Sequence, residues 1–198
     1  MAVDISQVKR LKDLTGVGLS DAKAALEASG GDFDAALKEM RTKGLTKAEK
    51  RSERSATAGI IGSYNHDNRI GVIVEVNCET DFVARNELFT NMVKDLAMHI
   101  AATNPQYLSR DQVPAAEFKQ IEAELKERAK NDAKSKDMIP KIVAGQLDKY
   151  FAEHCLLSQP FVKNPDITVD DFVKEHNARL GENIVVRRYC RLALGEAN

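Results

Sequence analysis

A chain of 198 residues with 43% hydrophobic and 30% charged side chains has room for one substantial domain and a small one, and suits a helix-rich globular protein with a charged surface. Its 29 basic and 30 acidic residues leave a net charge of −1, so no global field draws it to nucleic acid or an anionic membrane, and direct nucleic-acid binding is not expected. No apolar run reaches the roughly 20 residues needed to cross a bilayer, and Met1-Ala2-Val3-Asp4 leads into a helix rather than a signal or transit peptide, so a cytoplasmic protein is expected.

Residues 4–42 read as three short helices separated by glycines. Ile5, Val8, Leu11 and Leu14 stripe the first, Gly16 and Gly18 break it, Leu19, Ala22 and Leu26 stripe the second, and Gly30-Gly31 ends that one. Asp32 caps a third helix bearing Phe33, Ala36, Leu37 and Met40. Helices this short bury their stripes only against one another, which predicts a three-helix bundle over residues 1–43. Its Gly31-Asp32-Phe33-Asp34-Ala35-Ala36 segment resembles a ubiquitin-associated domain. Thr46-Lys47-Ala48-Glu49 is a capping box for a polar linker helix over 44–56. The basic run of Lys43, Lys47, Lys50, Arg51 and Arg54 has no aromatic neighbours to stack a base, and reads as a solvated connector.

Residues 57–198 form the core in this reading. Gly59 to Tyr64 and Ile70 to Val76 are strand-like runs joined by the turn-forming Asn65 to Arg69, an antiparallel hairpin. Phe89, Val93, Leu96 and Ile100 stripe a helix lying on the sheet, with His99 as a structural histidine. Pro114 opens a helix with Phe118, Ile121 and Leu125, and a second arm runs from Ile139 to about Phe151, giving a projecting helical hairpin over about 114–155. Leu156 to Val162 is an extended apolar segment, and Thr168 begins a last helix ended by Gly181. A third strand over Ile184 to Leu192 has Ile184, Val186, Cys190 and Leu192 on one face, interrupted by Arg188. The fold class is α+β, with a small three-stranded antiparallel sheet covered by helices. Cys78, Cys155 and Cys190 lack the close spacing of metal or redox sites, so buried thiols and neither metal nor cofactor are expected.

The strand-to-helix junction from Val76 to Phe89 is the most informative stretch. There Thr80-Asp81-Phe82-Val83 sets an acid beside an aromatic, and residue types alone favour Asp81 as a helix cap and Phe82 as a core residue. However, Asn77-Cys78-Glu79-Thr80-Asp81-Phe82-Val83-Ala84-Arg85-Asn86, together with Gly181 to Arg188, resembles the signature of the elongation factor Ts family, exchange factors for the GTPase elongation factor Tu. The resemblance implies that Thr80, Asp81, Phe82 and Val83 form a partner-binding loop that disturbs the magnesium side of the nucleotide site. It also implies that the N-terminal bundle docks through Lys9, Leu19 and Ser20, and that the Ser63 to Arg69 hairpin tip, with His66, reaches the partner's third domain. Longer family members carry two related sheet halves, whereas this chain has strands for one, which predicts a homodimer through the strand bearing Val186 and Cys190.

Three other classes compete. A ubiquitin-type adaptor would use the bundle, an RNA-binding adaptor is the second, and a hydrolase would need Cys78, His99 and Asp81 as nucleophile, base and orienter. No phosphate loop or nucleophile motif supports the last, and no enzyme is expected.

Overall fold

The computed structural model describes residues 4–15, 17–40, 42, 52–132 and 138–196. The chain divides into one unit made of Met1–Met98 with Asp171–Asn198 and another made of His99–Asp170.

In the first unit, α1 (Ile5–Thr15), α2 (Leu19–Ala28) and α3 (33–40) share a core of Val8, Leu11, Ala22, Ala25, Leu26, Ala36 and Met40. The punctuation lies where the sequence puts it. Gly31 N–H reaches Leu26 C=O and Gly30 N–H reaches Glu27 C=O, with both glycines at positive φ, closing α2 with a Schellman motif. Asp32 Oδ1 accepts from the Asp34 and Ala35 amides and caps α3. Three residues of the expected core, Ile5, Leu14 and Leu19, are instead exposed. Ala22, Ala25 and Ala36 let the helices approach closely, so one narrow row per helix fills the interior and the flanking positions stay outside. The expected linker helix lies mostly outside the described residues; its last part, Ser52 to Ala56, is turn and coil rather than helix.

The main sheet has the order β1 (Ala58–His66), β2 (Ile70–Cys78), β5 (Val185–Ala193), antiparallel throughout. The β1–β2 turn takes Asp67 and Asn68 to φ 51° and 57°, returns Arg69 N–H to His66 C=O, and is braced by Asn68 N–H on Asn65 Oδ1. One sheet face is covered: Val72, Val74 and Val76 are buried there, and α5 (Glu87–Thr103) lies so close that a Cβ on Gly62 would overlap Val93. The predicted stripe of α5, Phe89, Val93, Leu96 and Ile100, is fully buried.

The face assignment along β5 differs from expectation. Val76 pairs with Val186 but Glu75 pairs with Arg188, so Arg187 is an extra residue and the strand bulges. Residues directly opposite share a face. Val186, opposite Val76, therefore points to the covered side and is 5% exposed, while Cys190, opposite Ile73, and Leu192, opposite Gly71, point to the open side. Val186 is a core residue and not part of an outward surface, and Cys190 is exposed rather than a buried thiol. The open face carries Ile61, Ile73, Cys190 and Leu192, crossed by a Glu75–Arg188 ion pair of 2.7 Å.

In the second unit, α6 (Ala115–Asp132) pairs with α7 (Ile139–His154), with the Phe118 and Phe151 rings stacked 6.2 Å apart. Glu117 accepts from both Tyr107 and Tyr150 hydroxyls at 2.6 and 2.8 Å, which holds its carboxyl below the usual range and raises the Tyr107 phenol, while burial first and then the same bond raise that of Tyr150. Leu156 to Val162 is not one extended segment. A 3-10 turn occupies Leu156–Ser158, and β3 (Pro160–Phe161) pairs with β4 (Asn164–Thr168) in a two-stranded sheet the sequence did not announce. Gln159 explains the change, because its side chain turns inward to His99 and Thr103. The last helix, α8 (Val169–Leu180), which belongs to the first unit from Asp171 onward, ends at Gly181 with φ 77°.

Candidate functional site

The loop leaving β2 is held at its base by burial. Cys78 is fully buried and its Sγ donates to Thr80 C=O at 3.2 Å. Thr80 then caps a helix of one turn, α4 (Asp81–Ala84), by accepting Val83 N–H on its hydroxyl at 3.4 Å. Within that turn Val83 and Ala84 point inward, while Asp81 and Phe82 point out. Phe82 is 81% exposed. A helical turn cannot bury four successive side chains, and the two small residues take the inner positions. Thr80 rather than Asp81 is thus the cap, and Phe82 is not in the core. Val83, expected to meet a partner, is 5% exposed and serves as the loop's anchor.

A second set of contacts comes from the loop between α8 and β5. Glu182 Oε2 accepts the Glu79 and Thr80 amides at 3.0 and 3.1 Å, and its Oε1 accepts the Thr80 hydroxyl at 2.6 Å. Asn183 N–H donates to Glu79 Oε1 at 2.6 Å, and Asn183 Nδ2 donates to Ser52 and Arg54 carbonyls at 3.2 and 2.7 Å. Arg54 also pairs with Glu79 at 3.5 Å. Capture of the Ser52 and Arg54 carbonyls accounts for the absence of helix there. Glu182 and Asn183 carry no local signal of this role, since nothing in the neighbouring sequence marks a side chain whose partner lies 102 residues away.

The remaining expected site residues are exposed but separate. Lys9 lies on α1, and Leu19, 52% exposed, opens α2 with Ser20. His66 sits at the hairpin tip with Tyr64 Oη 3.0 Å from its Nδ1 and Asp67 3.8 Å from its Nε2. The tip and the Phe82 loop lie at opposite ends of β2, whose nine residues span roughly 26 Å. The two candidate segments are therefore far apart on one sheet.

The groups that a hydrolase would use are engaged elsewhere. Burial first, then the Glu182 and Asp81 charges, push the Cys78 thiol up and keep it protonated. His99 is buried with both ring nitrogens occupied, Nε2–H donating to Gln159 Oε1 at 2.9 Å and Nδ1 accepting Val162 N–H at 3.2 Å. Among the described residues no cluster of His, Cys, Asp and Glu could hold a metal ion, and no helix is long and apolar enough to cross a membrane.

Comparison with known proteins covers both the loop and the scaffold behind it. The family model described as Elongation factor TS matches residues 21–196. The chain is 49% identical over 197 residues to the Elongation factor Ts of Citrifermentans bemidjiense, covering 99% of this chain and 91% of that one. It is 47% identical over 196 residues to that of Thermodesulfovibrio yellowstonii, covering 99% and 98%, and 46% identical over 196 residues to that of Alkaliphilus metalliredigens, covering 99% and 91%. With a match this long including β2, the Phe82 loop, α5 and β5, the chain belongs to the elongation factor Ts family of translation elongation factors.

Proposed function

We propose that the chain is a guanine-nucleotide exchange factor, not an enzyme, that binds elongation factor Tu carrying GDP in the cytoplasm and promotes GDP release during translation elongation. The observation that carries this reading is Phe82, an aromatic side chain 81% exposed on a loop whose backbone is fixed from two sides. A GTPase holds GDP largely through its phosphates and a magnesium ion, so a wedge that displaces that side of the site weakens the nucleotide. By linkage, a factor that prefers the nucleotide-free GTPase lowers GDP affinity by the ratio in which GDP lowers its own. No metal or cofactor of the factor's own enters this mechanism. Phe82 is the wedge, and Asp81 adds negative charge beside the phosphates.

The N-terminal bundle, with its own hydrophobic cluster, is the docking module, and exposed Lys9, Leu19 and Ser20 are its contacts. The His66 tip meets the partner's third domain. Because that tip and Phe82 lie at opposite ends of one sheet, a two-fold homodimer pairing open sheet faces lets one protomer offer Phe82 and its partner the tip. Ile61, Ile73, Cys190 and Leu192 supply the apolar surface for such a pairing.

Release of labelled GDP from elongation factor Tu, with and without the chain, tests the reading. Phe82→Ala is expected to slow stimulated release at least about tenfold, the scale of one aromatic anchor worth ~2 kcal/mol, with melting temperature unchanged. Full activity in that variant rejects the wedge. No stimulation by the unmodified chain rejects exchange itself and returns the bundle to an adaptor role.

A further inference from the structure

Phe82 has no packing to hold its side chain, so its aim depends on the backbone beneath it, and α4, with four residues, is too short to hold itself as a helix. The geometry points to Glu182 as the residue that positions the exchange loop: its carboxylate, arriving from the loop before β5, latches Glu79 and Thr80 and thereby sets the direction of Phe82. This rests on the reading of Phe82 as the wedge.

Three hydrogen bonds converge on that one carboxylate. Oε2 takes two successive amides, Glu79 N–H and Thr80 N–H, fixing the peptide plane that enters the turn. Oε1 takes the Thr80 hydroxyl at 2.6 Å, a distance typical of a charge-assisted bond. The same hydroxyl accepts Val83 N–H. A hydroxyl that donates to a carboxylate becomes a better acceptor, so the chain Glu182, Thr80, Val83 is cooperative and spans the residues on both sides of Phe82. Glu79 is fixed in turn through its own carboxylate by Asn183 N–H and Arg54. The latch therefore orders both backbone and cap before a partner arrives, and the partner need not supply that ordering.

Loss of the latch is expected to leave the sheet folded, since Val74, Val76 and Phe89 are buried independently of it. Amide hydrogen exchange is the direct test. In Glu182→Ala the amides of Glu79 to Val83 should exchange faster while those of β2 up to Val76 keep their protection. In the GDP-release assay the same variant should lose about tenfold in maximal rate, the scale of one hydrogen bond to a charged group, with the half-saturating concentration little changed. Glu182→Gln retains an oxygen for the two amides and should recover part of the rate. Adding Glu182→Ala to Phe82→Ala should cost nothing further, because a positioning residue acts only through what it positions. Thr80→Val, which removes only the hydroxyl end, should show the same split if Glu182→Ala proves too unstable to assay.

Unchanged exchange protection at Glu79 to Val83, or full activity of Glu182→Ala alongside a slow Phe82→Ala, overturns the latch. A double variant slower than either single one by the product of their effects overturns it also, assigning Glu182 to a separate contact. Faster amide exchange with full activity in Phe82→Ala rejects instead the wedge on which the latch depends.

Discussion

His99 and His176 show what burial does to a titratable side chain. In both, desolvation lowers the pKa from its ordinary value; for His99 the Gln159 hydrogen bond opposes this, and for His176 the bond to Phe172 C=O does. Above about pH 6.5 both folded and unfolded states hold neutral imidazoles, so these two histidines add no pH dependence to stability there. As pH falls through that value the unfolded chain takes up protons that the folded chain refuses, and stability declines until the lowered native pKa values are passed. Melting temperature should therefore drop as pH falls below about 6.5, and His99→Gln should show a shallower drop than the unmodified chain. An identical slope would remove His99 from the acid response. At this scale the sequence was a fair guide to His99, whose lack of metal-spaced partners marked it as structural. It was a poor guide to Phe82, because an aromatic residue after a cap is ordinarily buried and only the inward turn of Val83 and Ala84 leaves it outside.

At the scale of elements, Gly62 sets how closely α5 approaches the sheet. Its missing side chain makes room for Val93, which fills the space above β1. Gly62→Ala must push the helix away or force Val93 from its rotamer, an overpacking cost of about 1–3 kcal/mol. A lower denaturant midpoint with an unchanged slope is the expected reading, and an unaltered midpoint would mean that α5 shifts freely. The helix itself was plain in the sequence, since its apolar residues recur at helical spacing over four turns. Strand β5 was legible only as a strand. Strict alternation runs straight through Arg187, whereas the bulge there exchanges the faces of everything after it, placing Cys190 and Leu192 opposite to Val186. A bulge leaves no mark on the residue pattern of one strand, because it is defined by pairing with the other.

For the whole molecule, the open sheet face is where the proposed dimer can be tested without damaging the core. Ile73 is 55% exposed and Leu192 59% exposed, so Ile73→Asp should leave the chain folded, reduce the light-scattering mass from a dimer to about the 21.9 kDa monomer, and lower exchange with it. Val186→Asp places a charge beneath α5 and is expected to unfold the first unit instead. A chain that is monomeric before substitution and exchanges at full rate would exclude the dimer.

Repeats of apolar spacing, glycine stops and the Asp32 cap determined by themselves that this chain has three short N-terminal helices, a hairpin, a long helix on the sheet and a late closing strand. Those features depend on neighbours within a few residues, where side-chain period and backbone preference act directly. The ten-residue signature from Asn77 to Asn86 likewise carries the family resemblance without reference to the fold. Tertiary structure decided the rest: which face of β5 is open, that Leu19 and Phe82 stand outside, and that Glu182 reaches back 102 residues to hold the loop. Each of these is set by register or by a hydrogen bond between segments far apart in sequence, and local periodicity specifies which side of an element is apolar without specifying what will lie across from it.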